Sequence, residues 1–127
     1  MNDHPDALEL IRIASHTLVQ DILPGALPEQ RYTLRMIANA LGIAARELEL
    51  RDTDSALETL SLNTLYGATK NAEDLHLRNR QLSRDIRRGT FESNIAQQAK
   101  LRQHLLATAR AKLAAAYPKA LAPLKLK

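Results

Sequence analysis

Arg35-Met36-Ile37-Ala38-Asn39-Ala40-Leu41-Gly42-Ile43-Ala44-Ala45-Arg46-Glu47-Leu48-Glu49-Leu50 decides the fold. Wound at about 100° per residue, Arg35, Asn39, Gly42 and Arg46 fall on one narrow stripe, within about 40° of Arg35. Leu34, Ile37, Leu41 and Leu48 lie on one flank, and Tyr32, Met36, Ile43 and Leu50 on the other. A helix that is apolar on both sides of a polar stripe is expected at the centre of a helical bundle. The stripe itself has two readings. Its arginines pair with acids such as Glu49 or those of the first helix, or the stripe is a docking groove. Gly42 favours the groove, because a glycine inside a helix costs about 1 kcal/mol relative to alanine and is tolerated where a backbone or a ligand must come close.

Outward from this stretch, the helix start and stop signals divide the chain into about five helical segments. The first runs from Pro5 to Pro24-Gly25 with Leu8, Ile11, Leu18 and Ile22 as its seam. The second starts near Pro28-Glu29 and reaches about Leu50, where Asp52-Thr53-Asp54 offers short capping side chains to a third. That third segment carries Leu57, Leu60 and Leu65 and stops at Gly67. In the fourth, Asn71 caps with Asp74 in the first turn; Leu75, Leu82 and Ile86 form the seam, and Gly89 suits the left-handed position past the end. The fifth, capped by Ser93 or Asn94, extends to Tyr117-Pro118. The pattern predicts an all-α fold: a single-domain bundle over residues 1–118, followed by a frayed basic tail over 119–127.

Composition agrees with that architecture. The chain has 127 residues, 45% hydrophobic and 25% charged, with four Gly, five Pro, one Phe and no Trp, a mix that opposes a sandwich or barrel. Zero cysteines remove zinc-thiolate, iron-sulfur and thiol-nucleophile chemistry together. There is no apolar run near the roughly 18 residues of a bilayer span, and the opening Asn2-Asp3-His4-Pro5-Asp6 is acidic where a signal peptide is basic. A cytoplasmic location is the expectation.

The net charge of +4 hides an asymmetry: residues 1–66 carry 5 Lys/Arg against 10 Asp/Glu, and residues 67–127 carry 13 against 4. The second half is therefore expected to face something anionic. Arg80, Arg84, Arg87 and Arg88 occupy an arc about 100° wide on the fourth segment, opposite its apolar seam. Guanidinium groups there suit carboxylate or phosphate recognition, although such a face is often simply solvated, with Asp85 offsetting part of it. Asn79, on the seam, is expected to satisfy a neighbouring helix end. Lys112 shares the apolar side of the fifth segment, where a lysine snorkels from the core edge to water or meets a phosphate in a cleft.

Catalysis has little support in the residues. His4, His16, His76 and His104 sit in separate segments, none in a metal-binding spacing, and there is no phosphate loop, dinucleotide fingerprint or nucleophile elbow. Serines 15, 55, 61, 83 and 93 lack an adjacent base, and a triad assembled in space leaves no mark in sequence. A nucleic-acid interface would need a recognition helix or stacking aromatics that this chain lacks, which leaves the arginines of 80–88 as a nonspecific option.

The stretch 35–50 resembles the core motif of a bacterial family of short helical proteins classed as a domain of unknown function. Asn79-Arg80 with Ile86-Arg87 and Gly89 is similar to that family's asparagine-arginine and isoleucine-arginine-x-glycine pattern, and Ala111-Lys112-Leu113 with Pro118 to its C-terminal segment. The likeness covers about residues 5–121 in motif order. Arg78 departs from it, standing where many members carry leucine, as does Tyr117, before Pro118, where asparagine is common. Members are typically encoded beside or fused to aminoglycoside-phosphotransferase-like kinases, often with acyl-CoA dehydrogenases nearby. The resemblance thus implies a noncatalytic accessory subunit of a kinase acting on hydroxyacyl-CoA in acid catabolism of the levulinate type. It implies no cofactor in this chain, with ATP and magnesium on the kinase, and acyl-CoA shared with it. Arg35, Asn39, Arg46, Arg80, Arg87 and Lys112 match family polar positions and, with Gly42 and Arg84, are the candidates for an interface or phosphate contacts. A basic nucleic-acid binder and a self-associating helical protein are the alternatives.

Overall fold

The computed structural model describes residues 3–68 and 75–121, which contain four α-helices and no strand. These are α1 (Ala7–Thr17), α2 (Pro28–Tyr66), α3 (Leu75–Arg87) and α4 (Ile95–Ala116). The all-α expectation holds, but the number of helices is smaller than the five expected. The second and third segments are one continuous helix of 39 residues. Nothing between Ile43 and Tyr66 is Gly or Pro, so the short polar side chains of Asp52-Thr53-Asp54 meet no backbone that must turn. Each costs a helix interior only about 0.5 to 0.7 kcal/mol, less than burial of Leu62 and Leu65 further along returns. Further along, the Thr59 hydroxyl donates to the Ser55 carbonyl at 2.9 Å and that of Thr64 to Ser61 at 2.6 Å, bonds made inside the helix and not at a cap.

The remaining ends follow local chemistry. The first helix begins at Ala7 and not at Pro5, with Asp6 as its cap, the carboxylate accepting from the Glu9 amide at 2.9 Å. After Thr17 the chain continues as a π-helical turn over Leu18–Ile22 and a short tight turn to Gly25. Pro28 opens α2, where its missing N–H is no loss. Gly89 lies in the left-handed region at φ 72°. Its amide donates to the Ile86 carbonyl and that of Thr90 to Asp85, the paired bonds that close α3. Asn94 caps α4 through the Gln97 amide. The tail expected to fray begins with an ordered turn, Pro118–Leu121. The cap expected at Asn71, with Asp74 in its first turn, falls outside the described residues. No helix among the described residues is long and apolar enough to cross a membrane.

The chain divides into two compact units, residues 3–51 with 113–121, and residues 52–112, leaving aside residues not described. The second holds the apolar core. Leu62, with no exposed surface, packs with Leu65, Leu82 and Phe91, and Tyr66, Leu75 and Leu101 lean against them. Among the described residues of the first unit, the buried apolar ones are Ala45 and Ala115. Tyr32, Met36 and Ile37, expected to flank a central helix, are exposed at the start of α2.

Candidate functional site

Around the apolar core of the second unit runs a set of polar contacts that no sequence pattern announced. Arg78, 4% exposed, donates through Nη1 to Asn63 Oδ1 at 2.9 Å, and its buried Nη2 has no partner. The Asn79 amide donates to Glu58 Oε1 at 2.8 Å, so this residue joins a carboxylate in mid-helix and not a helix end. Tyr66 donates to Asp85 Oδ2 at 2.6 Å. Burial, reinforced by that bond, pushes the Tyr66 phenol well above its usual range. Asp85 thus bonds inward to Tyr66, where it had been expected to offset the arginines.

His104, 2% exposed, places Nδ1 2.8 Å from the Ser61 hydroxyl. A serine within hydrogen-bond reach of a histidine is the beginning of a nucleophile-base pair, but here the imidazole is sealed in the core. Desolvation lowers its pKa from the usual 6.5, and nearby Glu58 opposes the shift in part. The neutral ring is the form that fits. Its contribution to stability is complete above pH 6.5 and is lost as pH falls through the lowered folded-state value. We expect urea unfolding at a series of pH values to show stability declining on the acid side of 6.5, and His104→Gln to flatten that decline. An unchanged acid slope in the variant would assign it to other groups.

Five of the eight candidate residues gather in two places. Arg80, Arg84 and Arg87 line one shallow cavity on α3 with His76, Asn79 and Ser83. All three arginines are exposed, and their guanidinium groups make no ion pair with another described residue. Lys112 is exposed on α4. In the first unit, Gly42 and Arg46 line an open cleft of about 450 Å³ that α1 completes with Arg12, Ser15 and His16. Arg35 and Asn39 are exposed on α2 and line neither cavity.

No arginine of the α2 stripe pairs with an acid among the described residues, contrary to the first reading of the stripe. Arg46 is half-buried and donates through Nε to the Ala115 carbonyl at 2.7 Å, an internal tie across 69 residues of sequence. Glu49 pairs with Arg12 of α1 at 2.8 Å and not with an arginine of the stripe. Arg35 and Asn39 instead share the open face of α2 with Tyr32 and Met36, at positions i, i+3, i+4 and i+7. At the start of α1, His4 pairs with Glu9 at 2.8 Å, and ligand atoms of His4, Asp6 and Glu9 lie within 4.8 Å of one another. The cap and the His4–Glu9 hydrogen bond account for that arrangement.

No curated protein and no solved structure matches the chain. The expectation of a family of unknown function does find its counterpart. The model of a family described as a domain of unknown function, DUF6285, matches residues 24–120, well over half of the chain, and the chain belongs to that family.

Proposed function

We propose that this chain is a noncatalytic subunit that docks on a kinase of the aminoglycoside-phosphotransferase type and supports its action on hydroxyacyl-CoA. The kinase and its substrate class come from the resemblance described above. The observation that carries the docking part is the open face of α2. Tyr32, 72% exposed, stands with Arg35, Met36 and Asn39 on one side of the helix, in a unit whose buried apolar residues, among those described, are alanines. Tyrosine, arginine and methionine are the side chains enriched at interface centres. Such a face gains apolar burial and hydrogen bonds when a partner covers it.

The test is a pull-down of the tagged chain from its native host near physiological salt, with the bound proteins identified by mass spectrometry. Recovery of a phosphotransferase-like kinase, followed by ATP-dependent phosphorylation of hydroxyacyl-CoA that rises when this chain is added, is the expected result. Tyr32→Ala and Arg35→Glu should each weaken the complex at least about tenfold. Both residues are exposed, so the fold should tolerate the changes. Arg46 is the poorer probe, since reversing its charge also breaks the bond to Ala115. Normal recovery of the kinase by both variants would remove this face from the interface, and turnover by the isolated chain would overturn the noncatalytic reading.

The row of exposed arginines on α3 favours a second reading, a nonspecific nucleic-acid binder. That reading requires a gel shift whose affinity falls steeply with salt as counterions are released. A blank gel at low salt would end it.

A further inference from the structure

Gly42 weakens α2, and its own backbone gives no reason for it. Its φ is not positive, and a Cβ placed there would meet a single atom within 4 Å, Arg46 Nη1 at 3.5 Å, an ordinary contact. Alanine would fit and would strengthen the helix. What a side chain would fill is the open cleft between α1 and α2, of a volume that holds a small organic ligand.

The lining of that cleft is mixed. Arg12 and Arg46 supply positive charge, Ser15, His16 and Gln20 supply hydrogen-bonding groups, and Val19, Leu41 and Ala45 are apolar. Arg46 is already held by the Ala115 carbonyl, with Nη1 standing over Gly42, so little side-chain freedom is left to lose when an anion arrives. Arg12 differs: it pairs with the Glu49 carboxylate at 2.8 Å, both side chains about half exposed, so a bound anion shares it with Glu49. Guanidinium groups from two helices, with an imidazole and a hydroxyl, offer more donors in more directions than the two coplanar oxygens of a carboxylate use. A phosphate carries three oxygens on a tetrahedron.

We infer that this cleft binds a phosphate monoester with a compact apolar body, its phosphate on Arg46 and Arg12 and its body over Gly42 and Leu41. The site belongs to the isolated chain and goes beyond the kinase-subunit reading; it stands or fails whether or not a kinase is ever recovered.

Isothermal titration of the full chain with phenyl phosphate, inorganic phosphate and benzoate tests the assignment, using wild type, Gly42→Leu, Gly42→Ala and Arg46→Lys. Phenyl phosphate should bind saturably and more tightly than either of the other probes. Gly42→Leu should lose at least about tenfold in affinity while melting no lower than wild type. Gly42→Ala should weaken binding less, and it serves as the blocking variant if leucine disturbs the fold. Arg46→Lys, which keeps the charge and loses the fork, should weaken binding too. Absence of saturable binding of phenyl phosphate to the wild type overturns the site. So does wild-type affinity in the folded glycine variants. Benzoate binding as tightly as phenyl phosphate overturns the phosphate assignment.

Discussion

Leu62→Ala is expected to lower the unfolding free energy by about 2 to 5 kcal/mol, the range for emptying a fully buried leucine site. Leu62 has no exposed surface and packs among Leu65, Leu82 and Phe91, which come from α2, α3 and the turn that follows α3. Those neighbours belong to separate segments and cannot all collapse into the space, so both the transfer and the cavity contributions are lost. Leu57→Ala and Leu60→Ala make the internal comparison. Both leucines lie on the same helix and both are exposed, so each change should stay within about 0.5 kcal/mol. Urea unfolding of the three variants, with Leu62→Met as a volume-conserving control at under about 1.5 kcal/mol, checks the ranking. Equal losses at all three positions would mean that α2 presents a different face to its partners.

That comparison also marks where the sequence stops being legible. Leucine spacing selects Leu57, Leu60 and Leu65 equally, and of these only Leu65 is buried. Periodicity gives the angle of a residue on its own helix, whereas burial depends on which neighbours cover that angle. The helix ends fared better where the backbone itself is constrained, at Pro28 and at the left-handed Gly89. At Asp52–Asp54 the only signal was a capping preference, and the helix runs through it. Among the candidate site residues, the arginines of α3 were readable as a face because charge on an exposed helix needs no partner to be recognised. The Arg46 tie to Ala115 joins residues far apart in sequence and left no local trace. Arg78 looked like one more basic residue, although it is buried. Its one available signal was its place in the family resemblance, where leucine is usual.

Tyr66→Phe should cost about 1.5 to 3 kcal/mol near neutral pH, the worth of a hydrogen bond to a charged acceptor. The phenol meets Asp85 Oδ2 at 2.6 Å, a short bond of the kind a carboxylate accepts from a hydroxyl. Removing the hydroxyl leaves the ring to pack edge-on against Phe91, at 6.4 Å between centroids, so the loss falls on the polar contact and on the half-buried carboxylate left without its donor. The sign of the pH dependence follows from the phenol's raised pKa. The neutral form fits the fold, so the contribution is complete below pH 10 and is lost as pH rises toward the folded-state value. Wild type should therefore lose stability in alkali through this group, and Tyr66→Phe should lose less over the same range. Asp85→Asn separates the hydrogen bond from the charge, because an amide oxygen still accepts from the phenol but carries no charge to hold its proton. In that variant the alkaline loss should begin at the same pH, near the unfolded value of 10, but be smaller in total than in wild type, because the folded-state phenol is raised less without the Asp85 charge. An alkaline profile identical in all three proteins would mean that the contact with Asp85 contributes nothing to holding α2 against α3.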